Sequence, residues 1–239
     1  MSLNIVFEDQ NLLVINKSAG MVVNRSDTTG NVETLQDMVQ SRVDLKKGSE
    51  EFLSRGGIVH RLDRETSGLL LVAKNQESFD NLQAQFKNRE VKKEYIALAH
   101  GEVVPKKSEI NVPVGRLPWN RTRFGVLAGG RQSLTEYEVI EERKHEEEIL
   151  SLLVLKPKTG RTHQIRVHLK YINHPIFSDF MYAGRKVSRK DRKILDRVFL
   201  HASSIKFKHP VTGKDLSFAI PLAEELRETL KLLKFEYNK

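Results

Sequence analysis

The spacing of hydrophobic positions changes several times along the chain. Ile5 to Phe7 and Leu12 to Asn16 are short apolar runs around the turn "EDQN" and predict two strands. Val32 to Val43 has apolar residues at helical spacing and predicts an amphipathic helix, and "LKKGSEEFLSRGG" follows as a polar connection with loop glycines. Leu69 to Ala73 is an unbroken apolar run of the kind a buried strand carries, and Gln76 to Arg89 then sets Phe79, Leu82 and Phe86 on one helical face. Strands dominate afterwards, at Lys93 to Glu102, Ile110 to Val114, Leu134 to Glu141 and Ile149 to Leu155. The acidic "EERKHEEE" between the last two reads as an exposed hairpin end.

The segment "TGRTHQIRVHLKYI" fits two periods. Ile165, Val167 and Leu169 alternate as in a strand, while Ile165, Leu169 and Ile172 lie on one helical face; the helix is the preferred assignment. "LHASSIKFKHPVTGKDLSFAIP" predicts a hairpin turning at "HPVTGKD", and Leu222 to Phe235 predicts a closing amphipathic helix. With no internal repeat, low-complexity stretch or linker, the expected architecture is one α+β domain over residues 1–239, a largely antiparallel mixed sheet flanked by helices.

Composition narrows the function. At 39% hydrophobic, 239 residues are enough for a sizeable core, and no apolar run approaches the roughly 20 residues of a membrane span. The start "MSLNIVFEDQ" lacks a basic region and a hydrophobic signal core, so a soluble cytoplasmic protein is expected. The absence of cysteine excludes disulfides, thiolate nucleophiles and Cys-based metal centres. A net charge of +9 favours a polyanionic partner, and its distribution sharpens this. Ile110 to Thr135 contains no acid but has Arg116, Arg121, Arg123 and Arg131 with Trp119 and Phe124. Ile149 to Ser178 is again acid-free, with Lys156, Lys158, Arg161, Arg166 and Lys170. Such windows suit phosphates, with aromatics to stack on bases. The competing assignment puts Trp119 and Phe124 in the core and the arginines on a solvated rim; two windows in a basic chain favour nucleic acid.

The candidate chemistry lies in "GGIVHRLDRETSGLLLVAKN", where Asp63 sits between Arg61 and Arg64 just before an apolar run. Neighbouring positive charge favours an ionised carboxylate fit to act as nucleophile or base, whereas the plain alternative is an Asp that caps a turn. Comparison with the kinase loop HRDLxxxxN fails, because Gly68 stands five beyond Asp63 and neither GxGxxG nor DFG is present. A serine hydrolase built on Ser67, His60 and Asp63 lacks GxSxG. His163 and His168 share a face on neither a regular helix nor a strand, so no metal site is expected.

This motif and four more in order, "FEDQNLLVINKSAGMVV", "VKKEYIALAHG", "KPKTGRTHQIRVHLKYINHPIFSDFMY" and "LHASSIKFKHPVTG", resemble the RluA family of RNA pseudouridine synthases from Phe7 to Gly213. The resemblance implies the pseudouridine synthase fold and a cofactor-independent isomerisation of uridine in ribosomal or transfer RNA. Asp63 matches the family's catalytic aspartate, which acts on the ribose of the target uridine while uracil detaches and rejoins through C5. Tyr95 matches the tyrosine that packs on the target base, its hydroxyl a candidate to take the C5 proton. Arg166 matches the basic residue that pairs with the aspartate, and Arg61 the arginine that enters the space left by the flipped nucleotide. Arg64, Arg121, Arg123, Arg161, His163 and Gln164 complete the candidate RNA-contacting set. The expected partner is an RNA stem-loop bound by a monomer without metal, nucleotide cofactor or membrane. The S4-like domain of many relatives is not expected.

Three positions depart from the family pattern. Ser18 stands where proline is usual, and Asn173 and Ser178 where glycines are usual. "RLPWNRTRF" resembles the insert of members that modify both ribosomal and transfer RNA. The rival functions are a relative specific for one position, a catalytically idle RNA-binding or ribosome-assembly factor, and, more distantly, an enzyme acting on DNA.

Overall fold

A computed structural model of the chain describes residues 3–25 and 29–237. The first elements are β1 (Ile5–Glu8), β2 (Leu12–Lys17), α1 (Leu35–Val39), α2 (Glu50–Arg55), β3 (Ser67–Ala73) and α3 (Gln76–Lys87). Then come β4 (Lys92–His100), β5 (Lys107–Asn111), β6 (Val114–Leu117), β7 (Asn120–Val126), β8 (Leu134–His145) and β9 (Glu148–Pro157). The chain closes with α4 (Gln164–Tyr171), α5 (Arg185–Asp191), β10 (Leu200–Lys208), β11 (Asp215–Ala219) and α6 (Glu224–Leu232). Strands and helices are mixed, and the pairs β1–β2, β2–β3, β10–β11, β4–β9, β5–β8, β6–β7 and β8–β9 are antiparallel. No described helix is long and apolar enough to cross a membrane. The residues form two compact units, one of residues up to Lys92 with Ser204–Ile220, the other of Lys93–Ser203 with Pro221 onward.

In the first unit β2 lies between β1 and β3, with Leu12 opposite Ala73 and Lys17 opposite Gly68. Every residue of β3 is buried, as its unbroken apolar run requires. Gly57, at φ +75°, lets the chain turn against this strand; a Cβ there would stand 2.1 Å from the Ala73 carbonyl oxygen, so no other residue fits. The expected helix Val32 to Val43 is much shorter. Thr34 caps α1 through a reciprocal capping box with Asp37, leaving Val32 exposed ahead of it, and Gln40 to Arg42 tightens into a 3₁₀ turn. The expected polar connection holds α2, capped by Ser49 and ended by Gly56 in the left-handed conformation, with Phe52 buried edge-on against Phe79 at 5.4 Å.

In the second unit β4, β9, β8 and β5 pair in that order. The strand expected from Ile110 to Val114 is divided: β5 stops at Asn111 and β6 starts at Val114, because Pro113 between them has no N–H for a ladder. β6 and β7 make a separate hairpin that sequence periodicity did not suggest. The ambiguous segment is helical, as α4, and the hairpin of β10 and β11 and the helix α6 form where expected. α5 was not anticipated.

His168 on α4 is completely buried; its Nε2–H donates to the Val112 carbonyl at 3.2 Å and its Nδ1 has no partner. Burial pushes this imidazole down to about 4 against the opposing hydrogen bond. The neutral ring is therefore the native form. Its contribution is complete above the ordinary value of 6.5 and is lost as pH falls from there through about 4. At most this is about 3 kcal/mol. Urea unfolding followed by circular dichroism from neutral to acid pH should show a shallower loss of stability for His168→Gln than for wild type. Parallel curves would remove His168 from the acid response.

Candidate functional site

Asp63 belongs to a tight turn of the first unit between buried Leu62 and buried Thr66, whose N–H donates to the Asp63 carbonyl at 3.1 Å. Two further groups fix the next peptide. Gly20 N–H donates to the Arg64 carbonyl at 2.8 Å, and the Lys17 ammonium donates to it at 3.2 Å. Lys17 is only 1% exposed and also donates to the carbonyls of Ser18 and Met21, at 2.8 and 3.1 Å. A buried ammonium spread over three carbonyls thus ties the loop after β2 to the turn that carries the carboxylate. Arg64 returns the contact, its Nε donating to the Gly20 carbonyl at 3.1 Å. Asp63 is half-buried, whereas Arg61 and Arg64 are exposed.

His60, on the same segment, is held by its ring. The Leu71 N–H donates to its Nε2 at 3.0 Å, so that nitrogen carries no proton, and the ring lies 4.7 Å from that of Phe86. It is a scaffold for the turn. Ser18 contributes a carbonyl to Lys17, which any residue supplies, so the departure from proline leaves this clamp intact.

In the second unit Arg166 is buried on α4 and grips Asp179 with two parallel hydrogen bonds, Nε to Oδ2 at 2.7 Å and a terminal nitrogen to Oδ1 at 2.9 Å. Asp179 Oδ1 also accepts the N–H groups of Met181 and Tyr182. The Tyr182 ring lies under the Arg166 guanidinium at 5.0 Å. Its hydroxyl accepts the Phe124 N–H at 3.1 Å and is hydrogen-bonded to His163 Nδ1 at 2.9 Å. One tyrosine therefore joins β7, the start of α4 and the arginine.

His163 takes the left-handed conformation at φ +57° where α4 begins. Gln164 is buried, its Oε1 accepting from Thr159 Oγ1 and Arg161 N–H, its Nε2 donating to Leu134 and Thr135. These bonds occupy the amide in shaping the turn. Arg161 sits on that turn, partly exposed. Arg121 and Arg123 are exposed on one side of β7, and Arg116 from β6 lies over Phe124 at 5.3 Å. Trp119, at the hairpin turn, is 76% exposed, so its assignment to the core fails; Phe124 is partly buried, 5.5 Å from the His163 ring. Tyr95 is buried on β4 opposite Leu155.

Three contributors escaped sequence reasoning: Lys17, Asp179 and Lys93. Lys93 precedes Tyr95 by two and shares its face of β4. The residue is half-buried, its ammonium lies near Gly160, and desolvation pushes it down to about 8. The signal was present in the quoted "NKSAG", "SDF" and "KKEY", but it resides in which chain atoms each side chain meets. Asn173 and Ser178 both hold positive φ, +66° and +63°, the geometry for which glycine is the usual choice.

Lys17→Met should lower unfolding stability by about 3 kcal/mol, because three carbonyls, that of Met21 in a fully buried bond, lose a charged donor. It should also lower kcat more than it raises KM if the clamp positions Asp63. Equal kcat in the folded variant would make Lys17 structural only.

An RNA pseudouridylate synthase family profile matches residues 11–171. The chain is 36% identical over 242 residues to "Ribosomal large subunit pseudouridine synthase D" of Blochmanniella floridana, covering 97% of this chain and 73% of that protein. It is 36% identical over 234 residues to the uncharacterized RNA pseudouridine synthase YlyB of Bacillus subtilis, covering 98% and 74%. Among solved structures, Human RNA Pseudouridylate Synthase Domain Containing 1 superposes with a TM-score of 0.70 at 27% identity, covering 98% of this chain and 95% of that one. With the five motifs in order and the fold in agreement, the chain belongs to the RluA family of RNA pseudouridine synthases, isomerases that convert uridine to pseudouridine.

Proposed function

We propose that the chain isomerises uridine in ribosomal RNA, with Asp63 as the carboxylate that acts on the ribose. The substrate class follows the large-subunit synthase D relatives. The observation that carries the role of Asp63 is the convergence of Lys17, Gly20 and Arg64 on its turn, a backbone fixed more tightly than an ordinary surface loop needs. In the reaction the C1′–N1 bond breaks, uracil turns, the C1′–C5 bond forms, and the C5 proton leaves while N1 gains one. Nothing is oxidised or reduced. Asp63 serves the ribose carbon, Tyr95 supplies a flat face for the base, and Arg166 supplies positive charge oriented by Asp179. The target must leave its stack, which costs a few kcal/mol and is offset by phosphate contacts.

Asp63→Asn should abolish tritium release from RNA containing 5-tritiated uridine while filter binding stays within about twofold of wild type. Turnover near wild type would sink the assignment, and the idle-factor reading predicts no tritium release from either protein. Arg121→Ala and Arg123→Ala should each flatten the dependence of log affinity on log salt by about one. Unchanged slopes would place β7 away from RNA.

A further inference from the structure

The stretch from Gly184 to Lys193 holds six cations, Arg185, Lys186, Arg189, Lys190, Arg192 and Lys193, and one acid, Asp191. Folding separates them. Ser188 and Asp191, one helical turn apart, face inward and are buried, while Arg185, Lys186, Arg189, Lys190 and Lys193 are exposed. Asp191 Oδ2 is hydrogen-bonded to His100 Nε2 at 3.0 Å and accepts the Ser178 N–H at 2.9 Å, and Glu148 meets the other side of His100 at 3.1 Å. Burial would push the His100 imidazole down, but Asp191 and Glu148 outweigh it and hold it above its ordinary value. The charge of Asp191 is thus engaged inside the unit, and of the outward cations Lys190 feels it together with Glu146 and Glu148.

Lys190 is paired with Glu146. Arg185, Lys186, Arg189 and Lys193 have no carboxylate partner among the described residues. Just ahead of the helix, Phe180 is 52% exposed, with the Arg192 guanidinium over its ring at 5.7 Å and Arg192 Nε donating to the Ser178 carbonyl. A fixed row of unneutralised cations beside an exposed ring suits a polyanion that carries stackable bases. A lipid surface fits less well, since α5 has seven residues and Val187 is its one exposed apolar side chain.

We propose that the outer face of α5, Arg185, Lys186, Arg189 and Lys193, together with Phe180, is a phosphate-docking surface for the RNA substrate, additional to the arginines of β7. It rests on the RNA-modifying reading above. The surface is tied to the chemistry through the backbone. Asp191 holds the N–H of Ser178, and the next residue, Asp179, holds Arg166. RNA on α5 is therefore anchored two short links from the arginine.

The test uses the full chain and protein-free large-subunit ribosomal RNA made by transcription. Filter binding from about 0.05 to 0.4 M potassium chloride compares wild type with a quadruple variant, Arg185→Ala, Lys186→Ala, Arg189→Ala and Lys193→Ala. The slope of log affinity against log salt should become shallower by about 3, with at least about tenfold weaker binding near 0.1 M salt. The charge-retaining double variant Arg185→Lys, Arg189→Lys should keep the wild-type slope, and circular dichroism melts verify folding of both. A quadruple variant with the wild-type slope and affinity overturns the proposal while leaving the RNA reading intact. A wild-type protein whose RNA affinity ignores salt overturns both. A charge-retaining variant as impaired as the quadruple one overturns the role of charge. Loss of binding to phosphatidylserine vesicles with unchanged RNA titrations assigns the face to lipid instead.

Discussion

A guanidinium taken out of water must meet a carboxylate, and much of the second unit is arranged around one such pair. Arg166 is 7% exposed and Asp179 fully buried. Removing either partner would strand a charge at a cost of several kcal/mol, so the residues around both are constrained to keep them matched. Asp179 is fixed by the N–H groups of Met181 and Tyr182, and Tyr182 in turn receives the Phe124 backbone and reaches His163. The small apolar cluster of Val114, Val167 and Tyr182, with Phe124 and Val126 against it, closes around that connection. A hairpin, a helix and a loop thereby share one electrostatic requirement.

The first unit solves the same problem with different chemistry. Lys17 is as buried as a core leucine, and it donates to three peptide carbonyls. Neutral acceptors impose no fixed fork, so an ammonium can reach several of them at once and brace the turn from one point. The two units thus hold their polar residues differently: planar and bidentate around Arg166, radial around Lys17.

Sequence reasoning succeeded where burial alone sets the pattern. β2 and β3 are continuous apolar runs because both of their faces are covered, and α3 and α6 present one apolar stripe. It failed where a side chain answers to a distant backbone. The bond from Lys17 to the Arg64 carbonyl spans 47 positions, which no local period records. α5 escaped because its inward face is a serine and an aspartate, so it has no hydrophobic stripe to detect; α2 escaped because Phe52 is its one buried residue. The hairpin of β6 and β7 was hidden for the opposite reason: its charged positions were read as a binding window, and its pairing was not. Asn173 and Ser178 stood out only through the resemblance, and their positive φ values show why glycine is usual there.

The exposed turn of that hairpin also fixes how the protein presents itself to light. Trp119 is the single tryptophan of the chain, and it stands in solvent. Indole emission depends on the polarity around the ring, so the native emission is expected to lie close to that of the unfolded chain and to report little of the melting of either core. The same indole lies two residues from Arg121 and four from Arg123, where quenching by a stacked base would be a local optical signal of ligand arrival.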